Sequence, residues 1–93
     1  MARPYLEPAI EEMKTYMIVS VYPLLNDGDI VSRIQMRELM ARIGLPAIYR
    51  GLDKYARSVV LYEALDQLGW QKFSRSYRHT VKAWIKPEVI RNV

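Results

Sequence analysis

Ninety-three residues, 51% of them apolar and 26% charged, suffice for one domain with a single core and fall short of two, and that balance excludes a disordered chain. The absence of cysteine removes disulfides, thiol nucleophiles and cysteine-based zinc sites, and the one histidine, His79, has no carboxylate close in sequence with which to hold a metal. The net charge of +4 is unevenly divided: residues 1–31 carry Arg3 and Lys14 against five acids and are net −3, whereas the rest carry twelve basic side chains against five acids and are net +7. A polyanion-binding part on an acidic support is the partner class this implies; the plainer reading is a solvated basic surface.

The first predicted element is a helix starting near Pro8. Proline suits a first helical turn, and Glu11 and Glu12 lie where the helix dipole favours negative charge. Ile10, Met13, Met17, Val21 and Leu24 or Leu25 recur at spacings of three and four and mark one buried face, with Pro23 ending the helix or kinking its last turn. The run Tyr16 to Leu25 is too short for a membrane span and contains Ser20 and Pro23. Arg3, Pro4, Glu7 and Pro8 stand where a signal peptide would place apolar residues, so a cytoplasmic chain without membrane attachment is expected.

Asn26-Asp27-Gly28-Asp29 is a loop, followed by Ile30-Val31 as a very short strand. Ser32 and Gln35 have the spacing of a capping box for a helix from Arg33 to Ile43, with Met36, Leu39, Met40 and Ile43 as its apolar stripe and Gly44 beyond its end. After Leu45-Pro46, the stretch Ala47 to Gly51 is long enough for a single helical turn. Asp53 can cap a third main helix from Lys54 to Leu68, with Val60, Leu61, Ala64, Leu65 and Leu68 as its buried stripe. Lys54, Tyr55, Arg57, Ser58 and Tyr62 then face solvent on its first turns.

From Trp70 the periodicity becomes two. Residues 71–75 and 80–86 read as strands with a turn over 76–79, and Val81, Ala83 and Ile85 alternate with Lys82, Trp84 and Lys86 so that one face closes over a core. Pro87 stops the second strand. Trp70 and Trp84 read as packing residues before they read as base-stacking platforms. Helix, short strand, helix, helix and hairpin is the order of an α+β winged helix-turn-helix domain, an order that other small α+β domains share. The expected architecture is one domain over residues 1–93: a support or dimerisation helix in 1–28, and a winged-helix core in 30–87 with three helices and a two- or three-stranded β-wing.

A helix after a helix-turn connection can enter the major groove and reach base edges with its N-terminal half, and Lys54, Tyr55, Arg57 and Ser58 are of types suited to that. The hairpin carries Lys72, Arg75, Arg78, Lys82 and Lys86 with no acid between Gln71 and Lys86, where a surface needing only solubility would mix its charges. Arg75, Tyr77, Arg78 and His79 at its tip offer cations, a hydroxyl and rings to a phosphate backbone, with Lys72 as a further phosphate contact. His79 has the plainer reading of an exposed turn histidine. Dispersed carboxylates, the lack of a glycine-rich phosphate loop and the lack of a Ser-His-Asp arrangement argue against an enzyme and against a cofactor.

The residues also carry a resemblance. Ile30-Val31-Ser32 through Met36-Arg37-Glu38-Leu39-Met40-Ala41-Arg42-Ile43-Gly44-Leu45, then Ala64-Leu65-Asp66-Gln67-Leu68-Gly69-Trp70-Gln71-Lys72, then Val81-Lys82-Ala83-Trp84-Ile85-Lys86-Pro87, resemble the C-terminal winged-helix modules of phage and plasmid primase-helicases and of virulence-associated protein E-like proteins. The likeness spans Ile30 to Pro87, and its most characteristic piece is a leucine-rich helix running into Leu-Gly-Trp and a basic hairpin that ends in Lys-Pro. It implies a double-stranded DNA-binding role in a phage or other mobile element, in replication or transcription control. The added first helix departs from that pattern; its apolar Met17-Ile18-Val19 and Val21-Tyr22 are wide enough to bury on two sides, as in a homodimer. The competing expectation is a protein-interaction module that binds a host or phage protein.

Overall fold

Ile10, Met13, Met17 and Val21 form the inner stripe of a continuous helical segment, and all four are buried together with Leu6 and Ala9. The computed structural model describes residues 4–74 and 81–88. Within them a 3-10 turn, Pro4–Leu6, leads into α1, Glu7–Tyr16. The segment does not stop at Tyr16. It widens into a π-helical stretch, Met17–Val21, where the Tyr22 amide donates to the Met17 carbonyl five residues back, and then tightens into a 3-10 turn, Tyr22–Leu24. Pro23 accounts for the widening: it brings no N–H for the Val19 carbonyl, and its ring would press on that carbonyl in a regular helix. The expected end at Pro23 is therefore a change of helical type that begins a turn earlier, with extended backbone first reached at Leu25.

The capping predictions are realised. Strand β1, Ile30–Ser32, passes directly into α2, Arg33–Ile43: Ser32 Oγ accepts from the Gln35 amide at 3.0 Å, and Gln35 Oε1 accepts from the Ser32 amide at 2.8 Å. Gly44, at φ 103°, closes α2 with its amide on the Met40 carbonyl. Ala47–Arg50 is the single helical turn α3. Asp53 caps α4, Lys54–Gln67, through Oδ1 on the Ala56 amide at 2.8 Å. Gly69, at φ 88°, ends it in a Schellman arrangement, in which the Gly69 amide donates to Asp66 and the Trp70 amide to Leu65.

The sheet is antiparallel in the order β1-β3-β2, with β2 at Gln71–Ser74 and β3 at Val81–Ile85. The third strand is thus the short segment before α2, paired with the second arm of the hairpin. The face of the hairpin that closes over the core is the one bearing Trp84 and Lys86. Trp84 is 0% exposed and Lys86 3%, whereas Ala83 and Ile85 are only half-buried. Trp84 lies opposite Val31 and Lys72 in register and meets the Tyr62 ring edge-on at 5.5 Å. A tryptophan removes more apolar area from water than alanine or isoleucine, and its volume decides which set of alternating residues turns inward. Trp70 is buried in the same core, with its indole N–H donating to the Tyr22 hydroxyl at 2.9 Å.

The buried side chains form one cluster drawn from α1, its π-helical extension, β1, α2, α3, α4 and β3. This is an α+β architecture of four helices and a small antiparallel sheet, compatible with a winged helix, in which α1 packs across α4. Among the described residues no helix is long and apolar enough to cross a membrane.

Candidate nucleic-acid interface

Asp53 sets the geometry of the face on which the groove-reading residues were expected. By capping α4 it fixes where the first turn begins, so Lys54, Tyr55 and Ser58 project on the side away from the buried Ala56, Val60 and Ala64. Tyr55 is 63% exposed. The Ser58 hydroxyl donates to the Lys54 carbonyl at 3.3 Å, which holds it along the helix with its lone pairs open to a donor.

Arg57 behaves differently from the reader it was expected to be. Its Nε donates to the carbonyls of Tyr49 and Leu52 at 3.2 and 3.0 Å, and its Nη2 to that of Arg50 at 2.7 Å. These carbonyls lie at the end of α3 and just beyond it, that of Tyr49 also accepting the Leu52 amide, and the guanidinium gathers them while lying 5.7 Å from the Tyr49 ring centroid. Arg57 is half-buried scaffolding that ties α3 to α4, a role no sequence signal announces because its acceptors are backbone atoms. Burial raises the Tyr49 phenol above its ordinary pKa of 10, and the positive charges of Arg57 and Arg37 oppose that rise. Both cations therefore bear on the same place.

That place is the edge of a cleft of about 510 Å3 between α2 and α4. Its cations are Arg33 and Arg37 from α2 and Lys54 and Arg57 from α4, and among the described residues no carboxylate lines it. Met40, Leu45 and Leu61 supply apolar wall, with the hydroxyl-bearing Tyr49, Ser58 and Tyr62 between. Arg33, Arg37 and Lys54 are exposed, and none of them enters the ion pairs found among the described residues. The sequence reading passed over Arg33 and Arg37. Their spacing of four puts them on one side of α2, but only the packed structure shows that this side faces the first turns of α4.

The hairpin keeps less of its expected basic surface. Lys86, which ends the acid-free run, is turned inward: its Nζ pairs with Asp27, donates to the Pro87 carbonyl at 3.3 Å and lies 4.5 Å from the Tyr22 ring centroid. Its backbone is clamped as well, to Gly28 and Asp29. Lys72 is exposed and faces Asp66 at 3.3 Å, a surface pair weak enough to be exchanged for a phosphate, and Lys82 is exposed. An unbroken basic run in sequence is thus not an unbroken basic surface. Arg75, Tyr77, Arg78 and His79 lie outside the described residues.

Among the described residues no group of three or more histidines and carboxylates could hold a metal. In comparisons with protein-family models, curated proteins and solved structures, nothing matches the chain.

Proposed function

We propose that this chain is a winged-helix protein that binds double-stranded DNA, with the N-terminal half of α4 entering the major groove through Lys54, Tyr55 and Ser58 and the β2–β3 wing lying along the backbone. The observation that carries this reading is the face at the start of α4: exposed groove-reading residue types beside a cationic cleft that no carboxylate of the described residues lines. A surface shaped by solubility alone would mix the two signs. The order β1-α2-α3-α4-β2-β3, with β1 completing the sheet on the far arm of the hairpin, supports the winged-helix assignment. The likeness of residues 30–87 to winged-helix modules of mobile elements favours a role in replication or transcription control of such an element. Ile18 and Val19, 51% and 66% exposed on the far side of the first helical segment, offer a surface for a second copy.

The test is a titration of labelled random-sequence duplex at two salt concentrations. Binding should weaken steeply as salt rises, because each neutralised phosphate releases condensed counterions. Absence of binding at about 50 mM salt with micromolar protein would overturn the reading, since nonspecific affinity alone lies in about the micromolar to 100 micromolar range at higher, physiological salt.

A further inference from the structure

Resting on the DNA-binding reading above, we infer that the phosphodiester backbone of one strand lies in the cleft between α2 and α4, held by Arg33 and Arg37 from one wall and Lys54 from the other. Arg33 and Arg37 stand one turn apart, about 6 Å along the α2 axis, a separation of the same order as that between neighbouring phosphates of a strand. Lys54 faces them from the first turn of α4. The nearest acid in sequence, Asp53, is turned onto the Ala56 amide as the cap. Arg57 keeps the wall in shape through its three carbonyls and so lets the other cations converge without itself being the clamp.

A second observation points to the same ligand. Arg33 is the first residue of α2, whose cap is the neutral Ser32–Gln35 box and whose first turn holds no acid, whereas at α4 the Asp53 carboxylate already meets the positive end of the helix. A cation at the positive end of a helix dipole works against the stability of the free protein, and an anion seated there reverses the sign of the interaction. The chain places charges the favourable way elsewhere, with Glu7 in the first turn of α1 and Lys14 in its last. The arrangement at the start of α2 therefore answers to something bound.

The favoured ligand is a phosphodiester rather than an acidic peptide. The free donors offered at the cleft are the cations of Arg33, Arg37 and Lys54 and the uncapped first-turn amides of α2 and α4; a phosphodiester carries only acceptors and leaves no donor of its own unpaired there, whereas a peptide brings amides of its own. The apolar stretches of wall at Met40, Leu45 and Leu61 suit the sugar faces between phosphates.

The experiment measures duplex affinity by fluorescence anisotropy across a salt series for the whole chain and for Arg33→Ala, Arg37→Ala, the double variant and Arg42→Ala, with circular dichroism to confirm folding. Arg42 is the control: it is an exposed arginine of the same helix that lies beside Glu38 in a different groove. The slope of log K against log salt should fall by about one for each cleft arginine and by about two for the double variant, and stay unchanged for Arg42→Ala. Arg33→Lys should restore the slope, since the contact is to charge. If the unaltered chain binds duplex but the double variant keeps its slope, or Arg42→Ala lowers it equally, the clamp is overturned and the DNA reading stands. Failure of the unaltered chain to bind duplex overturns both. Binding of a poly-glutamate peptide in place of duplex, dependent on the same arginines, overturns the clamp in favour of an acidic protein partner.

Discussion

Helix α1 begins on an acid, whereas α2 and α4 each begin on a base, although Asp53 caps α4 and Arg42 sits favourably in the last turn of α2. In α1, Glu7 occupies the first turn, Lys14 the last, and Lys14 closes a 2.8 Å pair with Glu11 one turn earlier, so the charges serve the helix that carries them. In α2 and α4 the first residues are Arg33 and Lys54, with capping left to the neutral Ser32–Gln35 box and to Asp53. Both regions bury their apolar stripes in the same core, so the difference is not one of packing. On the DNA-binding proposal, it separates a part whose surface is settled in the free protein from a part whose surface a phosphodiester would complete.

Arg57 tests where the border between those parts runs, and it carries the largest expected effect. It lies in the cationic region but spends its charge inside the fold. Arg57→Ala should lower unfolding stability by about 1.5–3 kcal/mol, the scale for lost hydrogen bonds to a charged group, seen as a lower denaturant midpoint at unchanged m. Any loss of DNA affinity should then be shared by cognate and random duplex. Lys54→Ala, in contrast, should leave the midpoint within about 0.5 kcal/mol and weaken binding. Equal midpoints for the two variants would erase the distinction between scaffold and surface within α4.

The two regions meet at a pair of tyrosines, and pH reads that contact. The Tyr16 hydroxyl, from α1, donates to the Met40 carbonyl of α2 at 3.4 Å, and burial followed by the neighbouring Tyr49 raises its pKa above 10; burial likewise raises that of Tyr49. A raised folded-state pKa means that the native protein holds these protons more tightly than the unfolded chain does. The stabilisation is complete below about pH 10 and is lost as pH climbs through the folded values. Tyrosinate absorbance should therefore show two late-titrating groups, with the unfolding midpoint falling over the same alkaline range. Tyr16→Phe and Tyr49→Phe should each remove one late group. Loss of no late-titrating group in either variant would mean that the junction is open to water.

Local signals made most of this architecture legible before any coordinates. Ser32 and Gln35, Gly44, Asp53 and Gly69 each act within four or five residues of where they stand, so helix limits could be read from them directly. Partners distant in sequence were not legible. The alternation in β3 is formally symmetric, and what turns Trp84 and Lys86 inward is the ring of Tyr62, the carboxylate of Asp27 and the ring of Tyr22, the last two about 60 residues away. The candidate site divides on the same line. Lys54, Tyr55 and Ser58 follow from helix phase alone, whereas the engagement of Arg57 depends on carbonyls of the preceding turn, and the roles of Arg33 and Arg37 depend on how two helices pack.

The smallest expected effect bears most directly on the contrast between the regions, because it asks whether the same charge change has opposite signs in them. Arg33→Glu should raise stability by about 0.3–1 kcal/mol at low ionic strength, since it replaces a cation by an anion at the positive end of α2, while abolishing the salt-sensitive part of duplex binding assigned to that position. Glu7→Lys in α1 should lower stability by a similar amount and leave duplex affinity nearly unchanged. Both stability shifts should shrink as salt is added, the sign of a screened surface interaction, and urea midpoints at two ionic strengths would read them. A fall in midpoint for Arg33→Glu would mean that Arg33 serves α2 as Glu7 serves α1; the first turn of α2 would then be settled without a ligand, and the opposition between the two regions would fail at the residue that defines it.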